Sequence, residues 1–168
     1  MKPFLEPFSI ALNPSIFSSF EMGKLLERKL SDLKDYYSDQ NAVGEILSED
    51  NPLIYKVWEM EYEGDGQGLS VGLTVINPGQ IGGEFYMTKG HFHAADSGDE
   101  VYIATSGKGG MLLTDRSGNC QFIEMELGKL YYVPGNFAHR TVNIGSEEFV
   151  FLCVWPPNII HDYETIAE

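Results

Sequence analysis

Four side chains in this sequence have the types and spacing to hold a metal: His91, His93, Glu100 and His139. They occur in the string Gly90-His91-Phe92-His93, then at Glu100, then much further on in Ala138-His139-Arg140. Three imidazoles and one carboxylate make a nitrogen–oxygen donor set suited to a first-row divalent cation. On a strand, residues two apart point to the same face, so His91 and His93 project together. A second strand with an end near Glu100 and a third near His139 would close the site from across a barrel. Asp96 and Asp99 compete with Glu100 as the acid. Glu100 is preferred because Val101, Tyr102 and Ile103 begin a strand that fixes its direction.

The rest of the chain must build that barrel. The first thirty residues, with Pro3, Pro7 and Pro14, read as an extended arm, and residues 31–49 read as helical. Ser31 and Asp39 are candidate N-caps, and Ala42, Val43, Ile46 and Leu47 form a short apolar stripe. From Leu53 onward, β-branched and aromatic segments alternate with turn signals. The expected strands are Leu53–Tyr62, Leu69–Ile76, Glu84–His93, Glu100–Thr105, Gly109–Thr114, Phe122–Glu126, Leu130–Val133, Arg140–Ile144 and Phe149–Trp155. Between them lie Asp65-Gly66, Asn77-Pro78-Gly79, Ser117-Gly118 and Pro134-Gly135. Short strands at this spacing predict an all-β antiparallel sandwich or barrel. Residues 1–50 would be arm and short helices packed on a barrel of residues 51–168, one structural domain in all.

Composition narrows the partners. A net charge of −14 repels nucleic acid and anionic membranes. An anionic substrate remains admissible, because a bound cation reverses the local field. Cys120 and Cys153 form no close pair. Cys153 lies in the apolar run Phe149–Trp155 and reads as a packed thiol, which suits a reducing cytosol. Neither a secretory leader nor a bilayer-spanning segment is expected.

The ligand residues fall into two longer motifs. The first joins His91, His93, Glu100 and Gly107; the second joins Gly128, Pro134, His139 and Asn143. Both resemble the motifs of the cupin superfamily. The strings Thr88-Lys89-Gly90-His91-Phe92-His93, Glu100-Val101-Tyr102, Gly107-Lys108-Gly109-Gly110-Met111-Leu112, Ala138-His139-Arg140-Thr141-Val142-Asn143 and His161-Asp162-Tyr163 resemble more closely the cupin-type glucose-6-phosphate isomerases, first associated with archaea. The likeness covers roughly residues 30–168. It implies a cupin jelly-roll barrel with His91, His93, Glu100 and His139 as metal ligands. It implies that Tyr55, Thr74, Thr88, Gly90 and Trp155 line the phosphate and sugar pocket, Trp155 standing where the family has a tyrosine. It further implies that Tyr102 and His161 lie beside the reacting carbons, and that the protein is a cytoplasmic homodimer.

Each residue also has a plainer reading. His161, after Pro156-Pro157, reads on its own as a loop histidine. Tyr102 shares a strand face with Glu100 and reads either as a pocket residue or as lumen packing. Thr74 and Thr88 fit strands by propensity alone, although a phosphate pocket in so acidic a protein needs neutral donors. Lys89 and Arg140 alternate away from the ligands and read as structural or rim residues. The Gly107–Gly110 cluster reads as a tight β-turn, since no helix follows it.

Aldose–ketose isomerisation moves hydrogen between C1 and C2 of an open-chain sugar. A divalent cation, Fe2+ first and Mn2+, Zn2+, Ni2+ or Co2+ also suited, would stabilise charge on the two oxygens. Glu100, Tyr102 and His161 are the candidates for the chemistry. An iron-dependent cupin dioxygenase uses the same ligands but a mostly apolar pocket. A non-catalytic sugar-binding cupin is the third expectation.

Overall fold

The computed structural model describes residues 23–60, 68–94, 98–157 and 159–163. The arm before residue 23, the Asp65-Gly66 turn and Asp96 lie outside the described residues. Strand β1 (Gly23–Lys29) leads into a one-turn helix α1 (Leu30–Leu33), a 3-10 turn at Lys34–Tyr36, and helix α2 (Gln40–Glu49). Asp39 caps α2, its carboxylate accepting from the Ala42 amide at 3.0 Å. Ser31 is no cap: it lies inside α1, and the Lys29 amide donates to Asp32 at 2.8 Å.

All later elements are strands: β2 (Leu53–Met60), β3 (Ser70–Ile76), β4 (Gln80–Ile81), β5 (Glu84–Phe85), β6 (Phe92–His93), β7 (Glu100–Ser106), β8 (Gly109–Thr114), β9 (Cys120–Met125), β10 (Leu130–Val133), β11 (Ala138–Asn143), β12 (Phe149–Trp155) and β13 (His161–Asp162). One antiparallel sheet runs β1-β2-β3-β12-β7-β10, and the facing sheet has β11-β8-β9 at its centre. The fold is a cupin jelly-roll. Apolar side chains fill the space between the sheets, with Phe149, Ile54, Ile76, Met111 and Val133 fully enclosed. Leu30 and Leu33 of α1 join this core. A smaller cluster of Trp58, Met60, Leu73, Val75 and Val150 is separate from it. Strand alternation explains the two sets, because adjacent residues of one strand serve opposite faces.

The expected continuous strand over Glu84–His93 is broken. Its regular parts are only β5 and β6, while the segment between them runs beside β11. Met87 pairs with Val142, and the Thr88 amide donates to Thr141. His91 then pairs with His139. Between these contacts, Lys89 and Gly90 stand opposite Arg140 alone, so the segment carries one extra residue. Gly90 has φ +65°, the left-handed conformation such a bulge requires. The bulge resets the alternation. Thr88 and His91, three residues apart, would otherwise face opposite ways, yet both line one pocket. His161, expected in a loop, forms β13 and pairs with His93.

Candidate metal centre

The barrel brings every expected site residue to one pocket. Tyr55, Thr74, Thr88, Gly90, His91, Glu100, Tyr102, His139, Trp155 and His161 line it, and fully buried His93 sits beside Glu100. The Glu100 carboxylate is the centre of the arrangement. Its Oε1 faces Nε2 of His93 at 3.1 Å and Nε2 of both His91 and His161 at 3.9 Å. Its Oε2 accepts from the Tyr102 hydroxyl at 2.5 Å, and Nε2 of His139 lies 3.3 Å away. The ligand atoms of His91, His93, Glu100 and His161 all lie within 4.8 Å of one another. His139, the expected fourth ligand, is outside that tightest group, which has His161 in its place; its Nε2 is instead engaged by Tyr102 at 2.8 Å and faces the other Glu100 oxygen.

Two observations test whether these residues fit a cation. The first is tautomeric. Nδ1–H of His93 donates to the Gly98 carbonyl at 2.8 Å, which leaves the Nε2 lone pair pointing at Glu100. Two acceptors at 3.1 Å need a proton or a cation between them. The second is that Nε2 of His91 and Nε2 of His161 are buried atoms with no hydrogen-bond partner. Unpaired buried nitrogens are rare in native proteins and mark a place for a bound group or ion. A divalent cation satisfies His91, His93 and Glu100 at once, so the residues fit a metal.

The charge states suit a cation once His93 gives up a proton. Burial is the main influence on His91 and lowers its pKa to about 3, which keeps the ring neutral and able to coordinate. Burial likewise lowers His161. Burial opposes the charged form of His93 too, but the Glu100 carboxylate outweighs it and the pKa is raised. Burial also opposes ionisation of Glu100, and the facing imidazoles of His139, His91 and His93 reverse this, holding the carboxyl well below its ordinary range. Burial first, then Cys153 and Glu100, keep the Tyr102 hydroxyl protonated and available as a donor.

Asp99 is not a competitor. Its carboxylate accepts from the Tyr132 hydroxyl and from the Gly135 amide, the latter at 2.8 Å. Sequence reasoning missed Thr141, Tyr163, Glu59 and Cys153, all of which line the pocket. Thr141 was findable, since it lies two residues beyond His139 on the same strand face. It shares a 3.1 Å hydroxyl contact with Thr88. Lys89 also lines the pocket, with Nζ 4.4 Å from the Tyr163 ring centre, so it shares the ligands' cavity instead of facing away. Among the described residues no helix is long and apolar enough to cross a membrane.

Comparisons with known proteins agree on the kind of protein. A family model for glucose-6-phosphate isomerase matches residues 27–168. The glucose-6-phosphate isomerase of Thermococcus litoralis is 44% identical over 165 residues, 98% of this chain and 86% of that protein. That of Pyrococcus furiosus is 44% identical over 170 residues, 98% of this chain and 87% of that one. That of Thermococcus onnurineus reaches 48% over 145 residues, 86% and 76% of the two chains. Among solved structures, Bacillus subtilis oxalate decarboxylase superposes with a TM-score of 0.52 at 24% identity. The match covers 62% of this chain and about a quarter of that one, at 26%, and supports the fold alone.

Proposed function

The chain belongs to the glucose-6-phosphate isomerase family, and we infer that it is an aldose–ketose isomerase interconverting glucose 6-phosphate and fructose 6-phosphate with the help of one divalent cation per chain. The observation that carries the metal-dependent form of this reading is the buried, unpartnered Nε2 of His91 facing Glu100, beside Nε2 of His93 on the same carboxylate oxygen. His91, His93, Glu100 and His139 hold the cation, and Fe2+ is the ion proposed. Imidazole and carboxylate donors also accept Mn2+, Zn2+, Ni2+ and Co2+. When bound, the cation supplies Lewis acidity to the oxygens on C1 and C2.

The chain's own residues do the rest. Thr74, Thr88 and Gly90 offer neutral donors to the phosphate, and Tyr55 and Trp155 flank the sugar. Trp155 has a single N–H donor, so it contributes chiefly a wall. Its ring lies over Gly72, where an added Cβ would meet it at 2.9 Å. Tyr102 donates to Glu100 Oε2 and fixes the direction of the other oxygen. His161, half-buried at the pocket and neutral, moves the proton between the oxygens on C1 and C2, while the carbon-bound hydrogen passes between C2 and C1 either directly as hydride or as a proton carried by Glu100. The enzyme works in glycolysis and gluconeogenesis as a cytoplasmic homodimer, one domain of barrel (51–168) with arm and helices (1–50) packed on it.

The test is direct. Purified protein should convert fructose 6-phosphate to glucose 6-phosphate, EDTA should stop the reaction, and added Fe2+ should restore it. Oxygen uptake without isomerisation would move the protein to the dioxygenase class. Sugar-phosphate binding with no turnover at any metal would leave a non-catalytic cupin.

A further inference from the structure

Arg140 sits on β11 next to His139; it is not among the residues that line the metal pocket and instead borders a second cavity with Phe92, Leu112 and Ala138. An added Cβ at Gly90 would meet Arg140 Nε at 3.0 Å, Arg140 Cβ at 3.2 Å and the His139 carbonyl at 3.3 Å. One guanidinium nitrogen donates to the Lys89 carbonyl at 3.3 Å, and another to the Met87 thioether at 3.1 Å. The group also packs on the Tyr36 ring, 5.5 Å from its centre. Both donor contacts fall on the segment that carries the bulge.

The charge is uncompensated. Among the described residues no carboxylate lies within ion-pair distance of Arg140. The titratable groups that act on it are Tyr36, Tyr37, Glu84 and Tyr55. Glu84 Oε1 is already taken by the Ser38 amide and hydroxyl at 2.7 and 2.6 Å. A partly buried cation without a counter-ion is costly. It is also unusual in a chain of net charge −14, where carboxylates are plentiful. On the pocket side of the same bulge stand Thr88, Gly90 and Thr141, neutral groups, with Lys89 beside them.

Resting on the isomerase reading, we propose that Arg140 is a positioning residue for the substrate phosphate. It clamps Met87 and Lys89 so that the Gly90 bulge keeps Thr88 and His91 on one wall. Its fixed charge, one layer of backbone behind that wall, adds to that of Lys89 in the positive potential that a dianion needs beside hydroxyls and amides. The planar fork matters as well as the charge, since one ammonium cannot span two acceptors in the same way.

The experiment compares metal-loaded wild type with Arg140→Met, Arg140→Gln and Arg140→Lys. The readouts are KM and kcat for fructose 6-phosphate, inhibition by inorganic phosphate, and metal content. Arg140→Met should raise both KM and the phosphate inhibition constant by about tenfold. kcat should stay within about threefold, with metal content intact. Arg140→Gln keeps donors without charge and should behave alike, which covers the case in which the Met variant does not fold. Arg140→Lys should recover part of the phosphate affinity. The wild-type KM should rise with added salt, and the Met and Gln variants should flatten that rise. Unchanged phosphate inhibition in the Met or Gln variant overturns the proposal. So does a loss of kcat and metal content with no change in phosphate affinity, the mark of a merely structural plug. Wild type that binds phosphate in an Arg140-dependent way but does not isomerise would fail the functional reading and keep this one.

Discussion

Replacing Tyr102 by Phe removes one oxygen from the centre of the site and leaves the ring's packing intact. That oxygen donates to Glu100 Oε2 at 2.5 Å and engages Nε2 of His139 at 2.8 Å. These two bonds push metal affinity in opposite directions. Losing the donation to the carboxylate frees Glu100 to rotate, and a hydrogen bond to a charged group is worth about 1.5–3 kcal/mol. Releasing His139 Nε2 from a neutral partner makes it easier to coordinate, and such a bond is worth about 0.5–1.5 kcal/mol. The difference, about 1 kcal/mol against binding, is roughly a five- to tenfold weaker metal dissociation constant. Competition titration with a chelator of known affinity measures it. The metal-free variant should also melt several degrees lower, about 2–4 °C for each kcal/mol lost in a chain of this size. Tighter metal binding in Tyr102→Phe would show that the hydroxyl withholds His139 more than it orients Glu100, and the ranking of the two bonds would be wrong.

Other perturbations probe the remaining parts. His91→Ala or His139→Ala should each abolish binding at micromolar metal, where wild type holds one equivalent by elemental analysis; full occupancy in both would sink the ligand assignment. Metal binding should release protons near neutral pH, because His93 has a raised pKa and must surrender its proton from Nε2. Calorimetry in two buffers of different ionisation heat reads this, and zero protons released at pH 6.5 contradicts it. The same shift sets a sign for stability. A raised histidine pKa favours the folded state below the unfolded value of about 6.5, and that contribution fades as pH rises through the folded value. Burial of neutral His91 works oppositely but is complete above that same unfolded value. The metal-free protein should therefore lose stability as pH climbs above neutral, and the metal-loaded protein should not. Finally, β1 is a sheet edge with Leu25 half exposed, and light scattering at micromolar concentration should give twice the chain mass.

Much of the site was legible from local pattern. A period of two put His91 with His93 and Glu100 with Tyr102, and turn signals delimited most strands near the observed limits. The Asp39 cap and the turn at Gly107, where φ is +79°, follow from the chemistry of single residues. These features depend on neighbours a few residues away, so the order of residues alone determines them.

What the sequence could not decide is which distant strands lie side by side and in what register. His91 meets His139, and His93 meets His161, only because β11 and β13 flank the segment ending in β6. The Gly90 bulge is invisible to periodicity, since it reverses the alternation that periodicity assumes. It follows from the offset between the Thr88–Thr141 and His91–His139 pairings, and Arg140 and the His139 carbonyl leave little room there for a side chain. Arg140 stays off the metal pocket, as its alternation implied, whereas Lys89 enters it. Thr88 lines the cavity with His91 because of the bulge, and Thr141 joins them because β11 is the neighbour. Strand parity is a local property that any reader of the chain can count. Pairing register is fixed by the packing of two sheets around a shared core, and only the folded barrel contains it.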